Sequence, residues 1–337
     1  MIKKRILYIG NNLVKRTNYN TSMEVLSRLL QLEGHKVKKS SSKNNKILRL
    51  LSMCLAVVKN SNKTDYILID TFSTSNFYFS FITSQLARLF RIKYITILRG
   101  GNLPFRINKS VKISNLIFNN SYKNIAPSNY LKSEFEKKGY KTDFIPNILE
   151  IENYSFKKRI ELKPKILWVR AFKELYNPTL AIKVLSLLKE KYPKAKLCMV
   201  GPGKDTSFEA SRNLAKELNI IDSVEFTGVL PKEEWHKKAI DFDLFINTTN
   251  FDNTPVSVME AMALGLPIIS TNVGGMPFLI ENNIDGVLVD KENENQMADA
   301  IIKIIEENNF SLALNGRKKA ESFAWREVKQ KWNQILV

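Results

Sequence analysis

Residues 242–278, FDLFINTTNFDNTPVSVMEAMALGLPIISTNVGGMPF, limit what this chain can fold into more than any other stretch. A strand-like apolar run, 244–246, leads into a polar, turn-prone segment and then a helical stretch, 256–264. Gly265 stops that helix, and Pro267 opens a second apolar run at Ile268 and Ile269. Asp252 and Glu260 lie eight positions apart across the loop-to-helix junction. The unpaired N–H groups and positive dipole end of a helix start suit a phosphate, and carboxylates accept hydrogen bonds from hydroxyls. Together they fit a nucleotide sugar. An isolated acid pair reads more simply, with Asp252 in a turn and Glu260 on a solvated helix face. The apolar positions around Glu260, namely Val256, Met259, Met262 and Ala263, instead predict a helix packed on a sheet, where a carboxylate needs a purpose.

The same span resembles the donor-site signature of retaining glycosyltransferases of family 4, which have the GT-B fold. That family carries Glu, seven residues, Glu, then Ala and a small-residue helix, a Gly, a Pro and a strand, and a Gly-Gly pair. Here Asp252 stands for the first Glu, with Pro255, Glu260, Ala261, Gly265, Pro267, Gly274 and Gly275 in register. The resemblance covers the second half of the chain strongly and the first half loosely. With the strand and helix alternation of both halves, it implies an α/β fold of two Rossmann-like domains facing across a cleft. The expected divisions are an N-terminal acceptor-binding domain 1–148, a linker 149–163, a donor domain 164–320, and a terminal helix 321–337 that could cross back to the first domain.

Charge is divided unevenly between these halves. Residues 1–150 hold 26 Lys plus Arg against 8 Asp plus Glu, or +18, and the remainder holds 26 against 25, or +1. Such a field suits an anionic membrane surface, a lipid pyrophosphate or a nucleic acid. A lysine-rich composition competes as an explanation, but it would have made both halves basic. No recognition motif supports nucleic acid. The apolar run LLSMCLAVV within 43–59 could lie on a membrane as an amphipathic helix. Because nearly all its faces are apolar, it reads instead as a helix packed on the sheet. No stretch approaches the roughly 18 uninterrupted apolar residues of a spanning helix. Cys54 and Cys198 read as buried thiols of a reducing compartment. The expected location is the cytoplasm, peripheral on the inner face of the membrane.

The resemblance also assigns roles. Arg170, at the end of strand 166–169, holds the donor diphosphate. The family's Lys six residues later is Tyr176 here, so Lys173 is the candidate second cation. Gly201 and Gly203 face the donor, Val229 touches the base, and Asn253, Thr254, Val256 and Ser257 meet the phosphates through the helix start. Glu260 takes the ribose hydroxyls and Asp252 those of the transferred sugar. On the acceptor side stand Asn11, Asn12, Asn18 and Thr21 in the first loop, where the family places a Gly-Gly pair, with Arg99, Gly100 and Asn102. Arg99 replaces a His that lies near the reacting sugar in the family. It could bind a phosphate or an acidic acceptor, or pair on the surface. Asp241, Phe242 and Asp243 spell an acid-any-acid metal motif of another glycosyltransferase fold, but they precede a buried strand and read as structural. No essential metal or other cofactor is expected.

The implied activity moves a hexose-type sugar, with retention, from a UDP or GDP sugar to a hydroxyl of a saccharide acceptor. A polyprenyl-pyrophosphate-linked acceptor and a role in capsule, O-antigen or exopolysaccharide synthesis fit the basic first half. The alternatives are a sugar-nucleotide epimerase of the same fold and a catalytically silent partner subunit.

Overall fold

The computed structural model describes residues 3–10, 21–40 and 43–337. The chain divides into two compact units, Met1–Ile148 with Trp325–Val337, and Leu149–Ala324.

Among the described residues, the first unit is built on six parallel strands: β1 (Arg5–Ile9), β2 (Lys36–Ser40), β3 (Tyr66–Phe72), β4 (Lys93–Arg99), β5 (Lys123–Ala126) and β6 (Asp143–Phe144). Their order is β2-β1-β3-β4-β5-β6. A sheet covered on both faces needs continuous apolar strands, and β1 and β3 supply them with Ile6, Leu7, Ile9, Ile67, Leu68 and Ile69, all buried. The helix Trp325–Ile335 belongs to this unit, laying Val328, Trp332 and Ile335 on a core with Ile6, Tyr8 and Leu68. The helix Lys46–Asn60 behaves differently from its expected full burial. It buries Arg49, Met53 and Val57 and leaves a second apolar face in solvent. Cys54, on this helix, is half-buried, and Cys198 is buried; both thiols are free.

The second unit also has six parallel strands: β7 (Lys165–Val169), β8 (Lys196–Val200), β9 (Val224–Gly228), β10 (Leu244–Asn247), β11 (Ile268–Thr271) and β12 (Val287–Val289). The order β12-β11-β10-β7-β8-β9 reverses direction between β7 and β10. At such a switch point the connections leave the strand ends in opposite directions, which opens a crevice at the carboxyl ends. Residues 149–163, expected as a linker, pack into this unit. Leu149, Ile151 and Tyr154 are buried in its core. Buried Arg159 donates to the carbonyls of Phe242 and Gly265 and pairs with Asp243 at 3.3 Å. That pairing is where the second acid of the acid-any-acid motif is used.

Candidate functional site

The carboxyl ends of β7 and β10 carry the site of the second unit. The Arg170 N–H donates to the Val200 carbonyl at 3.0 Å, and the Gly201 N–H donates to Gly228 at 2.8 Å. A Cβ on Gly201 would fall 1.8 Å from the Arg170 carbonyl oxygen, so only glycine lets the ends of β7 and β8 meet this closely. The Arg170 guanidinium then lies 4.3 Å from the centre of the Tyr176 ring and pairs with the Asp252 carboxylate. Tyr176 is held in turn, because Trp168 Nε1 donates to Thr248 Oγ1 and Thr248 Oγ1 donates to the Tyr176 carbonyl, both at 2.9 Å. Tyr176, at the position of the family's Lys, therefore braces the Arg170 cation. Lys173 is exposed.

The loop that carries Asp252 rests on the Gly274-Gly275 pair. The Gly275 N–H donates to the Asp252 carbonyl at 2.9 Å, and a Cβ there would sit 1.7 Å from the Asn253 carbonyl oxygen. Asp252 Oδ1 accepts the Asn253 N–H at 2.8 Å. The loop runs into the helix Val256–Ala263, whose N-cap is Pro255 and which has no side-chain cap. Its first N–H groups have no intrahelical acceptor by geometry. Beside them the Thr254 and Ser257 hydroxyls and Arg170 Nε are buried without a hydrogen-bond partner among the described residues. Buried donors in this state cost roughly 1–3 kcal/mol each, so the cluster fits an anion that would satisfy them.

One turn further on, Glu260 is 3% exposed. Its Oε1 accepts from the Tyr154 hydroxyl at 3.0 Å, and Lys232 forms an ion pair with it. Burial pushes the Glu260 carboxyl above its usual range, with the Lys232 charge and the Lys232 and Tyr154 hydrogen bonds opposing. Tyr154 is pushed far above the ordinary phenol range by burial and then by the Glu260 charge. The His236 ring lies 4.7 Å from that of Tyr154, and burial, then Lys232, lowers its pKa to about 4. Val229 is exposed, and Gly203 bridges to Phe172 beside the Arg170 strand end.

In the first unit, Arg99 ends β4 in a buried cluster. Its Nε donates to Asp70 Oδ1 at 3.0 Å, Nη1 to Asn147 Oδ1 at 2.8 Å and Nη2 to the Tyr8 hydroxyl at 3.3 Å. The Tyr8 hydroxyl donates to the same Asp70 oxygen at 3.1 Å. The guanidinium is thus a strut across β1, β3 and β4 and not a surface pair. Thr21 caps the helix Ser22–Leu32 by accepting the Glu24 N–H. Gly100 and Asn102 are exposed. Asn11, Asn12 and Asn18 lie outside the described residues.

Residues 150–322 match the family described as glycosyl transferases group 1. The chain belongs to the group 1 glycosyl transferases. The match covers the unit that holds Arg170, Asp252 and Glu260, and the fold is that of GT-B glycosyltransferases. Among relatives, the amylovoran biosynthesis glycosyltransferase AmsK of Erwinia amylovora is 27% identical over 184 residues, 52% of this chain and 45% of that protein. The chain aligns over less than half the length of the curated relatives it matches first. Among solved structures, sucrose-phosphate synthase from Thermosynechococcus elongatus superposes with a TM-score of 0.79 at 16% identity, covering 99% of this chain and 98% of that one. Anabaena HepE in complex with UDP-glucose superposes at 0.76 and 16% identity, covering 99% of both chains. Within this group 1 glycosyl transferase, Tyr154, Lys232, Tyr8 and Asp70 are neighbours of the candidate residues that the sequence does not mark. Each reaches its partner from a distant segment, so no local spacing marks it.

Proposed function

We propose that the protein is a family 4 retaining glycosyltransferase that moves a hexose-type sugar from a UDP or GDP sugar to a saccharide hydroxyl. The observation that carries this reading is the uncapped start of helix Val256–Ala263, with unpaired Thr254, Ser257 and Arg170 Nε beside two carboxylates. The orphan donors suit a diphosphate and the carboxylates suit hydroxyls.

In the proposed reaction the bond between the sugar C1 and the diphosphate oxygen breaks. Arg170 and the helix-start N–H groups take up the charge on the leaving diphosphate. The acceptor oxygen forms its bond to C1 on the same face, and its proton passes to a diphosphate oxygen. Glu260 orients the ribose. Asp252, already paired with Arg170, shares its oxygens with the sugar hydroxyls and is one methylene shorter than Glu, which selects a different placement of the sugar. The acceptor is proposed to be lipid-linked, with the basic first half at the inner membrane face and the product a cell-surface polysaccharide. No helix among the described residues is long and apolar enough to cross a membrane, so attachment at that face would be peripheral.

A thermal-shift panel of UDP, GDP, ADP and their sugars tests the donor. A clear rise with one nucleotide family is the expected result. No shift with any of them would count against the donor site and favour a silent subunit.

A further inference from the structure

We propose that the helix Lys46–Asn60 docks the first unit on an anionic lipid surface, with its outer face lying in the headgroup layer. This inference rests on the reading of the protein as one that works at a membrane, and it names the surface. At 100° per residue, Ile47, Leu48, Leu51, Leu55 and Val58 fall within an arc of about 100°. Each is between 46% and 70% exposed. The opposite arc is the one that folds the unit: Met53 and Val57 are buried with Leu7, Ile9, Ile67 and Ile69, and Arg49 Nε donates to the Lys43 carbonyl at 2.8 Å. Packing therefore accounts for one face of the helix and leaves the other, a continuous aliphatic stripe, without a purpose in the fold.

The charge around the stripe says what covers it. Residues 36–64 contain eight Lys and Arg and no Asp or Glu. Lys43, Lys46, Lys59 and Lys63, at the two ends of the helix, are exposed. A second copy of the chain seated on this face would bring two such cationic stretches together, which like-charge repulsion opposes. An anionic bilayer offers apolar depth to the leucines and negative headgroups to the lysines at once. The arrangement is that of a helix lying in the plane of the interface, held by the rest of its unit.

Sedimentation with vesicles tests this on the full chain. The wild type is expected to bind equal-part phosphatidylcholine and phosphatidylglycerol vesicles at least about tenfold better than phosphatidylcholine alone, with binding that falls as salt rises. Leu51→Glu with Leu55→Glu, at exposed positions, is expected to lose at least about tenfold of that binding while keeping its Tm. Leu51→Ser with Leu55→Ser serves the same purpose if the Glu pair lowers the Tm. Wild-type binding that survives both pairs overturns the assignment of this helix and leaves the membrane reading standing. A wild type that binds neither vesicle removes both. Light scattering that finds a wild-type dimer dissolved by either pair, without vesicle binding, overturns the proposal in favour of a self-interface. None of these outcomes involves a nucleotide, so they are separate from the fate of the donor site.

Discussion

Replacing Glu260 with Gln separates what the site costs the fold from what it does for a ligand. The carboxylate is 3% exposed and burial raises its pKa, so its charge weighs against the folded state at neutral pH. Gln keeps the shape and its Oε1 can still accept from Tyr154. Lys232, with a side chain 42% exposed, turns to water instead of being left as a buried charge. Removing a buried charge without orphaning its partner is neutral or stabilising, here by about 1 kcal/mol. For a unit the size of Leu149–Ala324 that is a rise of roughly 2–4 °C in Tm. The sign with pH follows from linkage. A carboxyl whose folded pKa is raised binds more protons folded than unfolded, so the wild type gains on the variant as pH falls through that raised pKa, and the gap closes. Nucleotide binding moves the other way. Hydrogen bonds to a charged acceptor are worth about 1.5–3 kcal/mol, so affinity for a ribose-bearing nucleotide should fall roughly 10- to 150-fold. Scanning fluorimetry across pH and calorimetric titration read the two effects. A Tm several degrees lower at neutral pH, or an unchanged affinity, would refute the reasoning.

Tyr154→Phe removes the hydroxyl that fixes Glu260 Oε1, and is expected to weaken nucleotide binding about tenfold while affecting a 2′,3′-dideoxy analogue much less, as read by titration of both. Tyr176→Leu removes the ring under Arg170; a cation–π contact worth roughly 0.5–2 kcal/mol predicts a 2- to 30-fold loss for a nucleoside diphosphate and none for the nucleoside. Gly275→Ala drives a Cβ into the Asn253 carbonyl, costing about 1–3 kcal/mol or more in Tm measurements and displacing the Asp252 loop, so nucleotide binding is lost with it. Arg99→Met leaves Asp70 buried without its cation and is expected to destabilise the first unit by roughly 3–5 kcal/mol in denaturant titration.

Local signals carried most of the fold. Asn177 accepts the Leu180 N–H ahead of Pro178, and the helix at Val256 begins after Pro255, because caps and stops act within a few residues of where they are written. What could not be seen locally is what long-range packing decides. Tyr154 and Glu260 are 106 residues apart, and Arg99 meets an acid 29 residues away on a neighbouring strand. Tyr176 read as a missing cation because its position had to be judged by residue type, whereas its ring takes part through geometry. The run LLSMCLAVV read as fully packed because apolar residues on all sides of a helix do not say which side the sheet takes.

The most direct test of the donor site is calorimetric titration of a nucleoside, its monophosphate and its diphosphate into the wild type and Arg170→Ala, with the base chosen by the thermal-shift panel. The diphosphate is expected to bind the wild type at least about tenfold more tightly than the nucleoside, through charge-assisted bonds to Arg170 and the helix start, and Arg170→Ala is expected to erase most of that gain. Equal affinity for all three ligands, or a diphosphate gain that survives in Arg170→Ala, would contradict it.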